Sequence, residues 1–166
     1  EGVDCVVRAG PLADSDMVAR PLGMMEEVTV ASPDYLARHG MPATPEDLEG
    51  HQMIGFVSSR TGHPLPLEFT RGDEVIEVML PTRLLVSGTE TSAAAARHGF
   101  GLVQAPRYRF IDDFANGTLI EVLADFPPTP TPLSVLYPSH RQLSPRVRVF
   151  VDWVMEIIGP RLLPGA

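Results

Sequence analysis

Apolar and polar residues follow two different rhythms along the chain. Short runs rich in β-branched residues are separated by segments in which apolar residues recur at helical spacing. This alternation is typical of an α/β fold with a mostly parallel sheet. The predicted strands cover residues 3–8, 27–31, 52–57, 74–80, 83–87, 101–104, 118–122 and 133–137.

Three helices are predicted from the residues at their ends. The segment SPDYLARHG has Ser32 as its N-cap, Pro33 in the first helical position and Gly40 as a left-handed stop. The segments TPEDLEG and SPRVRVFVDWVMEIIGP begin with the same pairing of a hydroxyl residue and proline. The last of them predicts a long helix docked on a sheet by one apolar face, formed by Val147, Phe150, Val151, Val154 and Ile158.

Glycine-containing turns delimit two further elements. The segment PRYRFIDDFANG predicts a helix that ends at Asn116-Gly117. The segment FTRGDEVIEV predicts two strands joined by a turn at Arg71-Gly72-Asp73.

The helix entrance at residues 87–91 is crowded with small and hydroxyl-bearing residues. Ser87 and Glu90 have the spacing of a capping box, which would satisfy two free backbone N–H groups. A cap does not account for Gly88, Thr89 and Thr91, which make the entrance open and polar where a helix carries partial positive charge. Two interpretations stay open: a capped structural helix, and a site for an anionic or carboxylate ligand.

Polar or charged residues also lie at the carboxyl ends of two predicted strands. Ser58 and Ser59 end the apolar strand IGFV, and in open α/β sheets ligands bind at such carboxyl ends. Arg8 ends the strand VDCVV and is followed by Gly10. The Arg8 side chain either extends into solvent or meets a ligand carboxylate with its fork of donors.

Composition limits the classes of protein that these elements can form. With 166 residues and 18.1 kDa, the chain fits one ordinary domain or two small lobes that share a boundary. Hydrophobic residues make up 44% and charged residues 20%, which predicts a water-soluble globular protein. The net charge of −8 repels phosphate backbones, so this piece alone is not expected to grip nucleic acid.

No motif predicts a metal or cofactor site. The histidines, at positions 39, 51, 63, 98 and 140, never have metal-ligand spacing, and Cys5 has no second cysteine to join it. Cys5 itself is expected to be a buried, inert thiol. Gly99-Phe100-Gly101 follows a helix and precedes a strand, which is the reverse of the dinucleotide-binding order. We therefore expect no metal and no cofactor.

Catalytic chemistry is not expected either. The chain has neither a G-x-S-x-G segment nor a lysine-containing phosphate loop. Paired carboxylates such as Asp112-Asp113 are interpreted as solvated surface. An enzyme that uses Asp112, Asp113 or His98 is kept only as a remote alternative.

The order of several phrases resembles the effector-binding half of the bacterial LysR-type transcriptional regulators. These phrases are GVDCVVRAGPLADSDMVARPLG, VTVASPDYLARHGMPATPEDLEGHQMI and HGFGLVQAPRYRFIDDFANGTLIEVL, and together they cover nearly the whole chain. The resemblance implies a periplasmic-binding-protein-like (type 2) fold of two α/β lobes. It also implies that a small-molecule effector binds in the cleft between them. Arg8 and the hydroxyl-rich helix entrance suggest a carboxylate as this effector.

The resemblance also implies a division of the chain. Lobe one would comprise residues 1–28 and 138–166, and lobe two residues 29–137. Because the chain starts abruptly, we expect lobe one to be incomplete at its N-terminal side. The cleft would be lined by Arg8, Gly10, Phe56, Ser58, Ser59 and Thr89.

Partners follow from the same resemblance. A full-length member carries a winged helix-turn-helix that binds DNA and assembles into dimers or tetramers, and we expect a cytoplasmic protein with no membrane partner. The alanine-rich helix SAAAARHG is either a subunit contact or buried inside lobe two. A solute-binding protein of a transport system stays the main alternative because it would share the fold and the cleft.

Overall fold

The description of the fold rests on a computed structural model. None of the helices that it describes is both long and apolar enough to cross a membrane. The described residues are 4–12, 17–59, 61–138 and 144–163.

Ten strands and four α-helices make up the described part of the chain. The strands are β1 (Val6–Ala9), β2 (Met17–Met25), β3 (Glu27–Ala31), β4 (Gly55–Phe56), β5 (Leu67–Arg71), β6 (Glu74–Val78), β7 (Leu85–Val86), β8 (Val103–Pro106), β9 (Ile120–Val122) and β10 (Thr131–Pro138). The helices are α1 (Pro33–His39), α2 (Thr89–Arg97), α3 (Ile111–Asn116) and α4 (Pro145–Ile158). Short 3₁₀ helices cover Pro45–Leu48, Arg107–Phe110 and Gly159–Arg161.

The chain folds as two units. Unit one combines Glu1–Glu26 with Pro130–Ala166, and unit two is Glu27–Thr129. Strand β10 therefore groups with the first segment of the chain. The lobe limits expected from the resemblance stay a prediction.

In unit one the long strand β10 is the centre of a three-stranded sheet. It pairs antiparallel with β1 on one side and with β2 on the other. Strand β2 is absent from the sequence prediction because Pro21 and Gly23 interrupt its apolar pattern. The register shifts between Leu133 and Ser134, opposite these residues, and a bulge of this kind lets a strand accept proline.

Helix α4 covers this sheet as predicted. The Ser144 side chain accepts a hydrogen bond from the Val147 backbone N–H at 3.3 Å, which confirms the predicted N-cap. Val147, Val151 and Val154 are buried in a cluster with residues of β2 and β10. Phe150, which the sequence placed on the same face, is 38% exposed and lies beside the Trp153 ring instead, so that part of the prediction is wrong.

The apolar segment VDCVV, in which a buried Cys5 was predicted, leaves Cys5 only partly buried and the side chains of β1 exposed. Val6 and Val7 are 41% and 38% exposed. The reason is that the cluster under α4 is built from β2, β10 and α4, with Cys5 only partly buried against it. Strand β1 lies at the edge of the sheet and remains largely open to solvent.

Parallel pairing is less common than the sequence predicted. In unit two it joins β4 to β7, and one parallel bridge joins Met53 to Leu102. The pairings of β3 with β8 and β9, of β5 with β6, and those of unit one are antiparallel. Parallel neighbours need a long crossover, whereas turns or short loops join several of these strands, among them the predicted turn between β5 and β6. The α/β character is confirmed, but the mostly parallel sheet is wrong for the described strands.

Both faces of the three-stranded sheet β8–β3–β9 in unit two are covered by core clusters. One core cluster packs Ala93 and Ala96 of α2 against Val30 and other strand residues, so one face of the alanine-rich helix is buried inside its own unit, whereas Ala94 and Arg97 are exposed. A second cluster contains Tyr35 of α1 and the hairpin β5–β6. The predicted helix ends at Ser32, Gly40 and Gly117 are confirmed: the Ser32 side chain accepts from the Tyr35 N–H at 3.2 Å, and both glycines have positive φ.

Candidate functional site

The carboxyl ends of three strands meet at one edge of unit two. Parallel pairing places Phe56 of β4 beside Val86 of β7, and the Val57 N–H donates to the Val86 carbonyl at 2.7 Å. The parallel bridge between Met53 and Leu102 places the residues leading into β8 beside those leading into β4. The segments that follow these three strands therefore emerge on the same side. We call this region the carboxyl edge.

The segment after β4 forms a closed loop at the carboxyl edge. The Ser58 backbone donates to the His63 carbonyl at 3.0 Å and accepts from the Gly62 N–H at 2.8 Å. Ser58 is half-buried and Ser59 is exposed, while the Phe56 ring packs partly against the core. The two predicted serines thus lie at the end of β4, Ser58 partly and Ser59 largely exposed to solvent.

Helix α2 enters the carboxyl edge one residue later than predicted. Gly88 is its N-cap, with extended backbone, and no side chain caps the helix. The first helical bond runs from the Ser92 N–H to the Gly88 carbonyl at 3.0 Å. The predicted cap at Ser87 is therefore wrong because that residue lies before the turn and its side chain is exposed. Thr89 is the first residue of the helix.

A cation that the sequence prediction missed occupies this helix entrance. Arg109 donates one hydrogen bond from Nη2 to the Thr89 hydroxyl and another from Nη1 to Glu90 Oε1 at 2.5 Å. Glu90 thus pairs with Arg109 and does not complete a capping box. The Arg109 side chain is 21% exposed, whereas that of Glu90 is 82% exposed. The edge consequently combines a guanidinium, a hydroxyl and the partial positive charge of a helix N-terminus.

Arg109 follows β8, and this position is the signal that could have identified it. Ligands bind at the carboxyl ends of strands in open α/β sheets, and the sequence pattern drew attention to the ends of β1, β4 and β7 but not to that of β8. Extension of this rule to β8 requires knowledge of the Met53–Leu102 bridge, which no local sequence pattern reveals.

Arg8 and Gly10 belong to unit one. Arg8 lies in β1 opposite Ser134 of β10, and the backbone N–H of Gly10 donates to the Pro132 carbonyl at 2.9 Å. The Arg8 side chain is exposed. The ligand-binding role inferred for Arg8 and Gly10 from sequence stays a prediction.

Three other titratable side chains, those of Asp113, Cys5 and His51, are buried or partly buried. Asp113 is 5% exposed and bound by Arg97, so the solvated surface predicted for the Asp112-Asp113 pair is wrong for its second member. Burial, with a smaller contribution from the nearby Asp4 charge, raises the pKa of the Cys5 thiol. Burial, aided by the neighbouring His39, lowers the pKa of His51. Within the described ranges no group of three or more His, Cys, Asp or Glu side chains could hold a metal ion.

The two α/β units have the fold of a periplasmic-binding-protein-like domain. The family model described as "LysR substrate binding domain" matches residues 1–158, and the chain belongs to this family. The recognition and the α/β, periplasmic-binding-protein-like fold class inferred from sequence are thereby confirmed.

Individual relatives agree with this assignment. The chain is 36% identical over 158 residues to the HTH-type transcriptional regulator YhjC of Escherichia coli K12, covering 95% of this chain and 53% of that protein. It is 33% identical over 159 residues to the HTH-type transcriptional repressor PA14_22550 of Pseudomonas aeruginosa, covering 96% of this chain and 50% of the repressor. The chain thus spans about half the length of these curated relatives.

Solved structures show the same likeness. The regulatory domain of CrgA, a LysR-type transcriptional regulator from Neisseria meningitidis, is similar with a TM-score of 0.79 and 31% identity. The similarity covers 95% of this chain and 76% of the CrgA chain. These relatives do not support the alternative of a transport solute-binding protein.

Proposed function

We propose that this chain senses a small-molecule effector for a longer, cytoplasmic LysR-type regulator and transmits its binding to a separate DNA-binding domain. The observation that carries the proposal is the contact of Arg109 with Thr89 at the entrance of α2. The family and the HTH-type relatives support the regulatory context. No chemical reaction is part of this role.

The carboxyl edge favours an anionic effector. Arg109 already donates to the Thr89 hydroxyl, and that hydroxyl keeps its own proton to donate. Arg109 Nη1 donates to the exposed Glu90 carboxylate. Because an exposed ion pair contributes little to stability, a ligand carboxylate can replace Glu90 without leaving a buried charge unpaired. Two guanidinium N–H groups match a carboxylate in shape and charge.

The remaining predicted contacts complete the proposed site. Ser58 and Ser59 follow β4, and Phe56 lies in β4 beside β7, the strand that leads into α2. An effector with a carboxylate and an apolar body fits this combination of groups.

The proposed mechanism is a shift of population between two arrangements of the protein. An effector that binds one arrangement better raises its share by the difference in binding free energy. The DNA-binding domains of a dimer or tetramer would respond to that shift. Linkage requires the reverse effect as well, so operator DNA must change the affinity for the effector by the same factor.

The test measures DNA affinity of the longer regulator that carries this chain. Fluorescence anisotropy with DNA from upstream of its own gene is recorded with and without benzoate, salicylate and succinate. We expect one acid to change the dissociation constant for DNA by about 5- to 150-fold.

Two variants locate the effect. Thr89→Val should abolish the response to the acid, while Ser87→Ala, which alters the neighbouring exposed hydroxyl, should keep it. A regulator whose DNA affinity is the same with every acid, or whose response survives in Thr89→Val, would contradict the proposed function or the proposed site respectively.

A further inference from the structure

A pocket of unit two lies at the end of the parallel strands opposite to the carboxyl edge. Its volume is about 350 Å³, which is within the usual range for small-molecule sites. Among its lining residues, Gln52 precedes β4, Arg83 precedes β7 and Phe100 precedes β8. The pocket is therefore at the amino ends of these strands, away from Thr89 and the carboxyl edge. We call it the amino-end pocket.

The amino-end pocket is cationic in an acidic protein. Arg38, Arg83, His39 and His98 line it, and none of the Asp and Glu side chains that the structure describes does. Five arginines outside the pocket pair with carboxylates: Arg20, Arg71, Arg97, Arg107 and Arg109. In the described part of the chain neither arginine of the pocket has a carboxylate partner. The charge of the pocket therefore suits an anionic ligand.

The Arg38 guanidinium is fixed in place without being neutralised. It donates to two backbone carbonyls, those of Gly99 at 2.9 Å and Asp34 at 3.1 Å. A Cβ atom at position 99 would lie only 2.7 Å from Arg38 Nη2, so a larger residue there would displace the guanidinium from this position. These carbonyls orient the fork and leave its positive charge uncompensated.

His39, one of the two histidines that line the pocket, is also held in place by packing. The His39 ring stacks on Tyr35 with centroids 4.4 Å apart. The Tyr35 hydroxyl lies 3.1 Å from His51 Nδ1 and accepts from the Gln52 N–H at 2.8 Å. Because Tyr35 is buried, His39 is supported by a rigid neighbour.

Phe100 gives the pocket an apolar wall. Its side chain is 50% exposed although it lines the cavity, so a ligand could still cover it. Aromatic rings favour flat apolar partners by stacking. Guanidinium groups favour oxyanions through charge-assisted hydrogen bonds.

We propose that the amino-end pocket is a second ligand site, for a small molecule that carries a phosphate or carboxylate group on a flat apolar body. The acid group would lie between Arg38 and Arg83 with histidine N–H donors nearby, and the apolar body would cover Phe100. This inference does not depend on the effector site at Thr89. It gives the domain a site at which an anion binds independently of that effector.

Amide chemical shifts of the ¹⁵N-labelled chain test the proposal. Phenyl phosphate and benzoate are titrated separately, and inorganic phosphate serves as a probe without an apolar body. We expect saturable shifts at the Gly99 and Phe100 amides, and the tighter of the two aromatic probes identifies the preferred acid group. Inorganic phosphate should bind more weakly than phenyl phosphate, and Phe100→Ala should remove that difference.

Two variants that each remove one positive charge, Arg83→Gln in the pocket and Arg148→Gln outside it, separate a local contact from an effect of net charge. Arg83 makes no hydrogen bond or ion pair within the described ranges, so Arg83→Gln leaves the fold intact while removing one ligand contact. It should raise the dissociation constant about tenfold. Arg148→Gln, on the exposed face of α4, should bind like the parent chain. The proposal would be overturned if neither aromatic probe gave saturable shifts at Gly99 and Phe100, or if Arg83→Gln bound as tightly as the parent. Shifts confined to Ser58 and Thr89 would also overturn it, but would support the effector site.

Discussion

Arg97 and Asp113 form a two-point ion pair between α2 and α3. The Nε–Oδ1 and Nη2–Oδ2 distances are 2.7 and 2.8 Å, and the Thr118 hydroxyl donates to the same carboxylate at 2.6 Å. Because Asp113 is buried, these donors replace the water that its charge would otherwise need. The pair fastens the helix that begins at Thr89 to the segment that follows Arg109.

Removal of the cation should destabilise the domain. Arg97→Ala leaves a buried carboxylate with the Thr118 hydroxyl as its remaining side-chain donor, and we expect a loss of about 1–3 kcal/mol in the free energy of unfolding. Glu46→Gln, which breaks the exposed ion pair with Arg71, should cost less than about 1 kcal/mol. Urea denaturation at pH 7 measures both, and equal losses would refute the special role of the buried pair.

The same ion pair predicts a pH dependence. Hydrogen bonds from Arg97, and then from Thr118, hold the pKa of Asp113 below its ordinary value against the opposing effect of burial. A lowered folded-state pKa stabilises the protein above the ordinary carboxyl value of about 3.9 and ceases to do so as the pH falls through the folded-state pKa. The stability gap between the parent and Asp113→Asn should thus be full at pH 6 and shrink below about pH 4. A gap that widens on acidification would contradict this sign.

Gly101 is required by a backbone contact. Its φ is +148°, and an added Cβ would lie 2.7 Å from the Gln52 carbonyl oxygen. Gly101→Ala should cost more than about 2 kcal/mol because backbone atoms of the adjoining segment must move. Gly72→Ala, at positive φ but with open space around its Cβ, isolates the conformational cost of about 1 kcal/mol. Thermal unfolding of the two variants compares these costs, and a Gly72 loss as large as that at Gly101 would rule out the clash.

Two serines before helices should differ in importance. Ser32→Ala removes a hydrogen bond to the Tyr35 N–H and should cost about 1 kcal/mol. Ser87→Ala should change stability by less than about 0.5 kcal/mol because Gly88, not Ser87, is the N-cap. Chemical denaturation distinguishes them, and a large loss in Ser87→Ala would restore the capping box predicted from sequence.

The single cysteine should react slowly with alkylating agents. Burial and the Asp4 charge raise the pKa of Cys5, which lowers its thiolate fraction near neutral pH. Iodoacetamide at pH 8 should therefore modify the folded chain several-fold more slowly than the urea-unfolded chain. Equal rates would show that the thiol is fully solvated.

Local residue patterns predicted the ends of elements better than their pairing. Ser32, Ser144 and Gly117 act through neighbours within a few residues, so their roles are visible in short segments. Strand β2 was missed because the bulge that accommodates Pro21 depends on β10, more than a hundred residues away.

The candidate site shows the same limit. Thr89 and Ser58 were identifiable because each follows an apolar strand. Arg109 was not, since its contact with Thr89 depends on how β8 is placed beside β4. Helix α2 also began later than the capping spacing suggested, because Glu90 pairs with Arg109 and not with the backbone before it.

Binding of an anionic effector at the carboxyl edge is tested most directly by a thermal-shift panel of small aromatic and aliphatic carboxylates. The panel is measured on the parent chain, on Thr89→Val and Arg109→Gln, and on Arg71→Gln as a charge-matched control. A ligand at about 100 times its dissociation constant adds about 2.7 kcal/mol, which raises the melting temperature by about 5–10 °C in a domain of this size. We expect one acid to produce this rise in the parent and in Arg71→Gln but in neither variant of the edge. Stabilisation of all four proteins alike, or of none by any acid, would contradict an effector site at the carboxyl edge.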